Sequence, residues 1–517
     1  MADVIYNNRD SWVSFHSITR DLDIMIKIYN DKSSTGSKVD RYIDTNRALG
    51  EIIANAINSK MSLRAVGSRW SMSAIAHEEE WMLDTQSLNI KIPIEKNDLD
   101  SKSNEDNQKL FLFQCGNSIK EINNYLKRKK LSLSTSGASN GQTIAGATST
   151  GTHGAALNFG CIHDSIVGVH VIINENKSYL IEQKTQPVLS KEFADIINTE
   201  LIRDDEMFHA VQVGMGCMGV ITGIVIRSED LYLLDNYVFD LNRKEVGDIL
   251  KDGSFNHANV KSQTGYKRMP DHFKLFINPY DDSGDIRAEV MYKLTDAVKT
   301  MMPKGAKLEN SYNKDILSLI EKLSDRASWT APRLLSLLED QILPKKRKRE
   351  LATLGQHFYD TTTGGRTFSC ATGVDISQSL STLNVLISMF KNFGPIPALI
   401  SIRIVKGTKA LLGFTKFPTT CIVEIDGVQS RKSRDLIKLI PKMMGQAGIN
   451  FSFHWGKMNP LNATLVKKIY GNNYKKWIKQ RSRLMTEEES AVFTSDYAFD
   501  LGLGEYVDNT PDIKVIS

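Results

Sequence analysis

Three glycine-rich stretches hold the residues whose types and spacing could do chemistry. In Ala65-Val66-Gly67-Ser68-Arg69-Trp70-Ser71, a strand-like run ends in a glycine turn with small hydroxyl residues. Such a turn gathers several backbone N–H groups into one concavity, the arrangement that binds a phosphate or diphosphate. In Gly146-Ala147-Thr148-Ser149-Thr150-Gly151-Thr152-His153-Gly154, the missing side chains let backbone approach a flat ligand or its diphosphate closely. A third stretch carries Gly214, Gly216 and Gly219 in the spacing of a dinucleotide fingerprint, which should run strand, glycine turn, helix. Here the β-branched run Val220 to Ile226 follows the glycines, so a strand replaces the helix and the fingerprint fails its own context.

The elements that must position these loops follow from apolar periodicity. Ile43, Leu49, Ile52, Ile53, Ala56 and Ile57 recur at helical spacing between Arg41 and Asn58, and the strand-like MSLRAV follows. Trp81 to Leu83 and Leu110 to Gln114 read as strands, with the polar tract Lys96 to Gln108 between them as a surface loop or hairpin tip. Ile119, Ile122 and Leu126 predict a helix with Lys127 to Lys130 at its C-terminal end, where the dipole favours cations. Ser132 to Gly160 has a linker's composition. It is nonetheless punctuated by Ile144, Leu157 and Phe159 and leads into a strand over Ser165 to Ile173, which a linker has no reason to do.

Beyond Leu231 the texture changes to a second domain, with a strand at Ala288 to Leu294, an amphipathic helix at Lys314 to Leu323, and a further apolar stretch at Trp329 to Leu338. The basic run Lys345 to Arg349 reads as a solvated helix end, with a nuclear-import or polyanion patch as the other reading.

Composition removes several classes. A chain of 517 residues, 41% hydrophobic and 24% charged, is neither a small disulfide scaffold nor a disordered polymer. Its net charge of +5 is weak for that length and does not favour nucleic acid. Five widely spaced cysteines without a CxxC fit neither a disulfide framework nor a zinc site, and no metal is expected. No signal-like start and no run of about 18 apolar residues is found, so a soluble, cytoplasmic protein without a membrane span is expected.

The succession GSRWS, GQTIAGATSTGTHG, GCMGVITGIVI and His454-Trp455-Gly456-Lys457 resembles the vanillyl-alcohol-oxidase, or PCMH-type, FAD-linked oxidoreductases, most closely their alditol and aldonolactone oxidase branch. The resemblance is strong over Arg41 to Arg227 and returns over Leu399 to Asn462. It implies an α+β fold: a two-subdomain FAD-binding domain, plus a substrate domain with a large antiparallel sheet flanked by helices. The expected division is a lead-in over 1–35, the FAD-binding domain over 36–230, the substrate domain over 231–445, and a C-terminal segment over 446–517 returning to the flavin.

Carried over by motif, Ala65, Val66, Gly67, Ser68, Arg69, Trp70 and Ser71 would form the pyrophosphate loop. Thr143, Thr148, Ser149, Gly151, Thr152, His153, Ala155 and Asn158 would line the diphosphate and the flavin ring, and Gly219 and Ile221 would meet the adenine end. Many relatives carry, at the position of Trp70, a His bonded to the flavin. An indole cannot form that link, so the FAD is expected to be non-covalent, with His153 ordering its loop or touching the flavin.

Alcohol oxidation by a flavin needs a proton removed from the hydroxyl, a hydride passed to the ring, and positive charge to stabilise the reduced ring. The resemblance gives that charge to Lys457. Arg403 matches the branch's Glu-x-Arg, but Ser401 stands where the Glu should be. Either His454 takes the proton, or the substrate differs from a polyol, or the chemistry has been lost; Glu424 could supply a carboxylate or face solvent. The implied function is FAD-dependent oxidation of a small-molecule alcohol (a polyol, sugar, lactone or larger alcohol) with O2 or another acceptor. The alternative is a flavin-binding protein of this fold without catalysis.

Overall fold

Strands begin earlier than the expected lead-in suggests. In the computed structural model, which describes residues 2–31, 36–281, 284–296, 343–358, 367–508 and 513–516, β1 (Asp3–Val13) and β2 (Thr19–Tyr29) form an antiparallel hairpin. β2 then pairs in parallel with β4 (Trp81–Asp84), which pairs in parallel with β3 (Leu63–Val66). The hairpin buries Trp12, Leu22, Met25, Ile26 and Ile28, with Met25 and Ile26 on opposite faces of β2. Helix α1 (Lys38–Ser59) buries Leu49, Ile52, Ile53 and Ala56 and starts at a capping box, in which Ser37 accepts from Asp40 N and the Asp40 carboxylate accepts from Ser37 N.

A second, seven-stranded sheet contains β5 (Lys91–Pro93), β6 (Leu110–Gln114), β8 (Ile166–Asn174), β9 (Lys177–Glu182), β10 (Glu200–Arg203), β11 (Val220–Arg227) and β21 (Val515–Ile516), in the order β21-β10-β9-β8-β11-β6-β5. β5 and β6 pair antiparallel, which makes the polar tract 96–108 a hairpin loop. Helix α2 (Ile119–Arg128) ends on Lys127 and Arg128, as the charge pattern predicts. α3 (Ile144–Ser149) begins within the glycine-rich tract. β7 (Leu131–Ser132) and β12 (Glu229–Asp230) form a small ladder beside this sheet.

A third sheet is entirely antiparallel. It takes β13 (Leu233–Leu241), β14 (His272–Ile277), β15 (Ile286–Leu294), β16 (Arg347–Thr353), β17 (Thr367–Asp375), β18 (Ala398–Lys406), β19 (Thr419–Val428) and β20 (Phe451–Phe453) in the order β16-β13-β15-β14-β18-β19-β17-β20. With helices such as Ser379–Asn392 and Arg431–Gln446 beside it, this completes an α+β fold. The predicted helix over Lys314 to Leu323 and the stretch Trp329 to Leu338 lie outside the described residues.

The basic run is an edge strand rather than a helix end. Arg347 onward forms β16, and Lys346, Arg347 and Arg349 pair with Asp240, Glu350 and Asp235. Past β20 the chain packs against the first half of the molecule. Trp477 donates to the Ala210 carbonyl, and the buried Arg481 donates from Nε to the Cys217 carbonyl at 2.8 Å. All five cysteines are buried and free. Among the described residues no helix is long and apolar enough to cross a membrane.

Candidate active site

The loop after β3 is held in a tight form by its neighbours. A Cβ on Gly67 would lie 1.9 Å from Thr143 Oγ1, so only glycine lets the two glycine-rich loops touch. Ser68 Oγ accepts from Thr143 N at 3.0 Å and fastens them. Arg69 adopts a left-handed φ of 64° and pairs with Asp84 at 3.0 Å. A left-handed residue in a tight loop turns successive N–H groups to one side, as an anion-binding nest requires. Trp70 stacks on Phe15 with ring centroids 3.9 Å apart. The third loop is equally constrained: Gly219 has φ 88°, and a Cβ there would lie 2.5 Å from Ile173 Cδ1.

These loops form one wall of a cavity of about 540 Å³, and the other wall is a face of the third sheet. Strand alternation creates that face. Ser401 pairs with Glu424, Leu399 with Asp426, and Asp426 with Ser369, so these side chains and Arg403 project to the same side. The segment His454-Trp455-Gly456-Lys457 closes the cavity and is tied to the first loop, because Met72 N donates to the Gly456 carbonyl and Ser73 Oγ to that of Trp455.

Glu424 is the hub of this wall. It is fully buried, receives Arg403 on both oxygens (3.1 and 3.0 Å), and lies 2.7 Å from Lys457 Nζ and 2.9 Å from His153 Nε2. Burial opposes its charge, yet Arg403, Lys457 and His153 outweigh that and hold its carboxyl well below the usual range. Burial likewise pushes down His153, against the pull of Glu424, and drives His454 well below an ordinary imidazole. His454 Nδ1 accepts Gly456 N–H at 3.0 Å, so its neutral ring carries hydrogen on Nε2. Of the alternatives left open by the sequence, Glu424 facing solvent is removed.

The cavity gathers Ala65 to Ser71, Thr143, Ser149, Thr152, His153, Gly219, Ile221, Ser401, Arg403, His454 and Lys457. Four expected positions fall outside its lining. The Thr148 hydroxyl turns back to the Ile144 carbonyl inside α3, and Gly151 faces Phe414. Ala155 is buried with its carbonyl accepting from Phe273 N, and Asn158 is exposed. Sequence reasoning missed Asp426 and Ser369, and also His16, which lines the cavity from the hairpin and meets Thr367 Oγ1 at 2.9 Å. Asp426 sits two residues after Glu424, so strand periodicity could have found it; nothing in the polar first 35 residues points to His16.

The lining suits a dinucleotide. It offers close-approach backbone from three glycine loops, and the buried Gln142 Oε1 and Arg69 Nε have no partner in the protein. Although no metal is expected, Cys161, His163 and Asp164 place ligand atoms within 4.8 Å of one another. They are engaged as a turn: Asp164 accepts from Cys161 N and Thr408, and His163 Nε2 meets Thr408 at 3.0 Å.

Residues 41–177 match the family model of an FAD binding domain. The chain is 22% identical to L-gulono-1,4-lactone dehydrogenase of Mycobacterium tuberculosis over 451 residues, 87% of this chain and 92% of that protein. It is 24% identical to D-arabinono-1,4-lactone oxidase of Debaryomyces hansenii over 187 residues, a match spanning 36% of this chain and only 30% of that protein. Among solved structures, cholesterol oxidase from B. sterolicum superposes with a TM-score of 0.68 at 12% identity, covering 96% of this chain and 97% of that one. A VAO-type flavoprotein of Myceliophthora thermophila superposes at 0.57 and 12% identity, covering 91% and 78%.

Proposed function

We propose that this chain, whose residues 41–177 match an FAD binding domain, is a PCMH-type FAD-linked oxidoreductase that binds FAD and oxidises a CH–OH group of a small-molecule alcohol or lactone. The observation that carries the reading is the Arg403–Glu424–Lys457 cluster, which faces the glycine loops across one cavity. When bound, FAD supplies a two-electron acceptor for the hydrogen on the alcohol carbon.

The chain's own residues would do the rest. The loops 65–71 and 143–153 would hold the diphosphate through backbone N–H groups, and Gly219 and Ile221 the adenine end. Arg403 and Lys457 are the two cations of this wall, since burial keeps His153 and His454 from charging readily. They are placed to stabilise negative charge that develops in the cavity without reorganisation. Packing around the buried Glu424 excludes water and keeps Arg403 and Lys457 in register.

Trp70 at the family's attachment position supports a non-covalent FAD. After acid precipitation the yellow colour should stay in the supernatant; colour in the pellet contradicts this.

Turnover is tested with L-gulono-1,4-lactone, D-arabinono-1,4-lactone, xylitol and a sterol, using an oxygen electrode and, separately, an artificial dye acceptor. Turnover of at least one compound supports the proposal, and the acceptor it needs separates oxidase from dehydrogenase. An FAD-loaded protein that turns over none of them with either acceptor contradicts it.

A further inference from the structure

We infer that Asp426, rather than Glu424 or His454, is the catalytic base that takes the hydroxyl proton of the alcohol. The inference rests on the oxidation reading above and concerns the step that reading leaves without an agent.

The other groups in the cavity are committed, His16 included, whose ring meets Thr367 Oγ1 through Nδ1 and the Trp70 backbone. Glu424 is engaged by Arg403, Lys457 and His153, and the two cations and the imidazole hydrogen bond oppose its protonation. His454 receives Gly456 N–H on Nδ1, so its other nitrogen is a donor. His153 has Nε2 on Glu424 and Nδ1 3.1 Å from the Gly154 carbonyl. Lys457 and Arg403 are donors to Glu424.

Asp426 differs in kind. It lines the same cavity, is only partly buried, and forms no ion pair among the described residues. Its partners are two hydroxyls: Ser369 Oγ donates to Oδ1 at 2.5 Å and Ser401 Oγ to Oδ2 at 2.9 Å. A carboxylate offers about four lone-pair sites, so both oxygens keep acceptor capacity for a substrate hydroxyl. The two donors fix the orientation of the carboxylate toward the cavity.

This arrangement also gives Ser401 a purpose. Its single hydrogen has two carboxylates within reach, Asp426 Oδ2 and Glu424 Oε2 at 3.2 Å. Once Asp426 is protonated, Ser401 turns to Glu424 and frees Oδ2. The balance is complete: the O–H bond breaks with its proton passing to Asp426, and its electron pair closes the carbonyl. The C–H bond breaks with its hydrogen and both electrons passing to the flavin that the oxidation reading already requires. A carboxylate absent from the position of Ser401 is thus replaced one strand away, opposite Leu399 on β19.

The test compares anaerobic flavin bleaching in wild type and Asp426→Asn, with the lactones, xylitol and sterol as probes. Asp426→Asn should bleach about 10²–10⁴-fold more slowly, the usual worth of a general base. FAD content, reduction by dithionite and the substrate concentration for half-maximal rate should change little, and Asp426→Glu should recover part of the rate. The double variant Ser369→Ala/Ser401→Ala keeps the carboxylate but removes its donors. It should slow bleaching less than Asp426→Asn, and it gives a readout if that variant loses FAD. Bleaching of Asp426→Asn, or of the double variant, at the wild-type rate overturns the assignment and leaves the oxidation reading standing. A wild type that no probe bleaches overturns the oxidation reading, and the assignment with it.

Discussion

The two walls of the cavity are built in opposite ways. One wall is built from three short glycine loops, the first supplying seven successive residues, Ala65 to Ser71, and their work is done by backbone and by the absence of side chains. The other wall is assembled across β17, β18 and β19, where Ser369, Ser401, Arg403, Glu424 and Asp426 meet only because strand register brings them together. The first wall suits a constant ligand whose diphosphate any well-shaped turn can hold. The second wall gathers charged and hydroxyl side chains whose meeting depends on strand register rather than on any one loop.

Substitutions can break that contrast, and the largest effect belongs to the first wall. Gly67→Ala places a Cβ 1.9 Å from Thr143 Oγ1, so the two loops must part. The purified protein should come off gel filtration without flavin, and full FAD occupancy would contradict the account of this wall. Glu424→Gln comes next, since it leaves the buried Arg403 and the partly buried Lys457 without their counter-charge. Removing one partner of a buried pair costs about 3–5 kcal/mol, which thermal unfolding will register, while the folded fraction should still take up FAD. An unchanged unfolding temperature would mean the cluster is not a charge hub.

Lys457→Met sharpens the comparison from the chemical side. It should lower kcat by about 10²–10³ with FAD occupancy unchanged, the effect of losing one preorganised electrostatic partner. A change in FAD occupancy instead would assign Lys457 to binding. The smallest effect is pH-dependent. Burial pushes His16 down to about 4 from 6.5, so between those values the unfolded chain binds a proton that the folded protein refuses. Stability should therefore fall as pH drops from 6.5 toward 4, and His16→Gln should flatten that slope in urea titrations. An equal slope in both proteins would remove His16 as a pH-sensitive link between the hairpin and the third sheet.

The same contrast explains what was legible in the sequence. Gly67, Ser68, Thr143 and Gly219 announce themselves because loop chemistry is local and glycine has few other reasons to cluster. Three glycines followed by the β-branched run Val220 to Ile226 predict a strand entry, and β11 (Val220–Arg227) is that strand. Arg403 and Lys457 needed a family motif to stand out, and their meeting at Glu424 depended on a register that no local pattern encodes. Thr148, Ala155 and Asn158 follow from the family motif alone; here a helical back-bond, a contact with β14 and exposure engage them. The basic run was read from charge alone, whereas its β-branched-poor sequence is held as a strand by Asp235, Asp240 and pairing with β13.

The most direct test of the central claim is the visible spectrum of the FAD-loaded protein, recorded before and after anaerobic addition of the alcohol and lactone panel. The account predicts the two absorption bands of oxidised flavin and their loss on mixing with at least one member, followed by recovery when an acceptor is admitted. A protein that takes up no flavin, or whose bands no member bleaches, contradicts it.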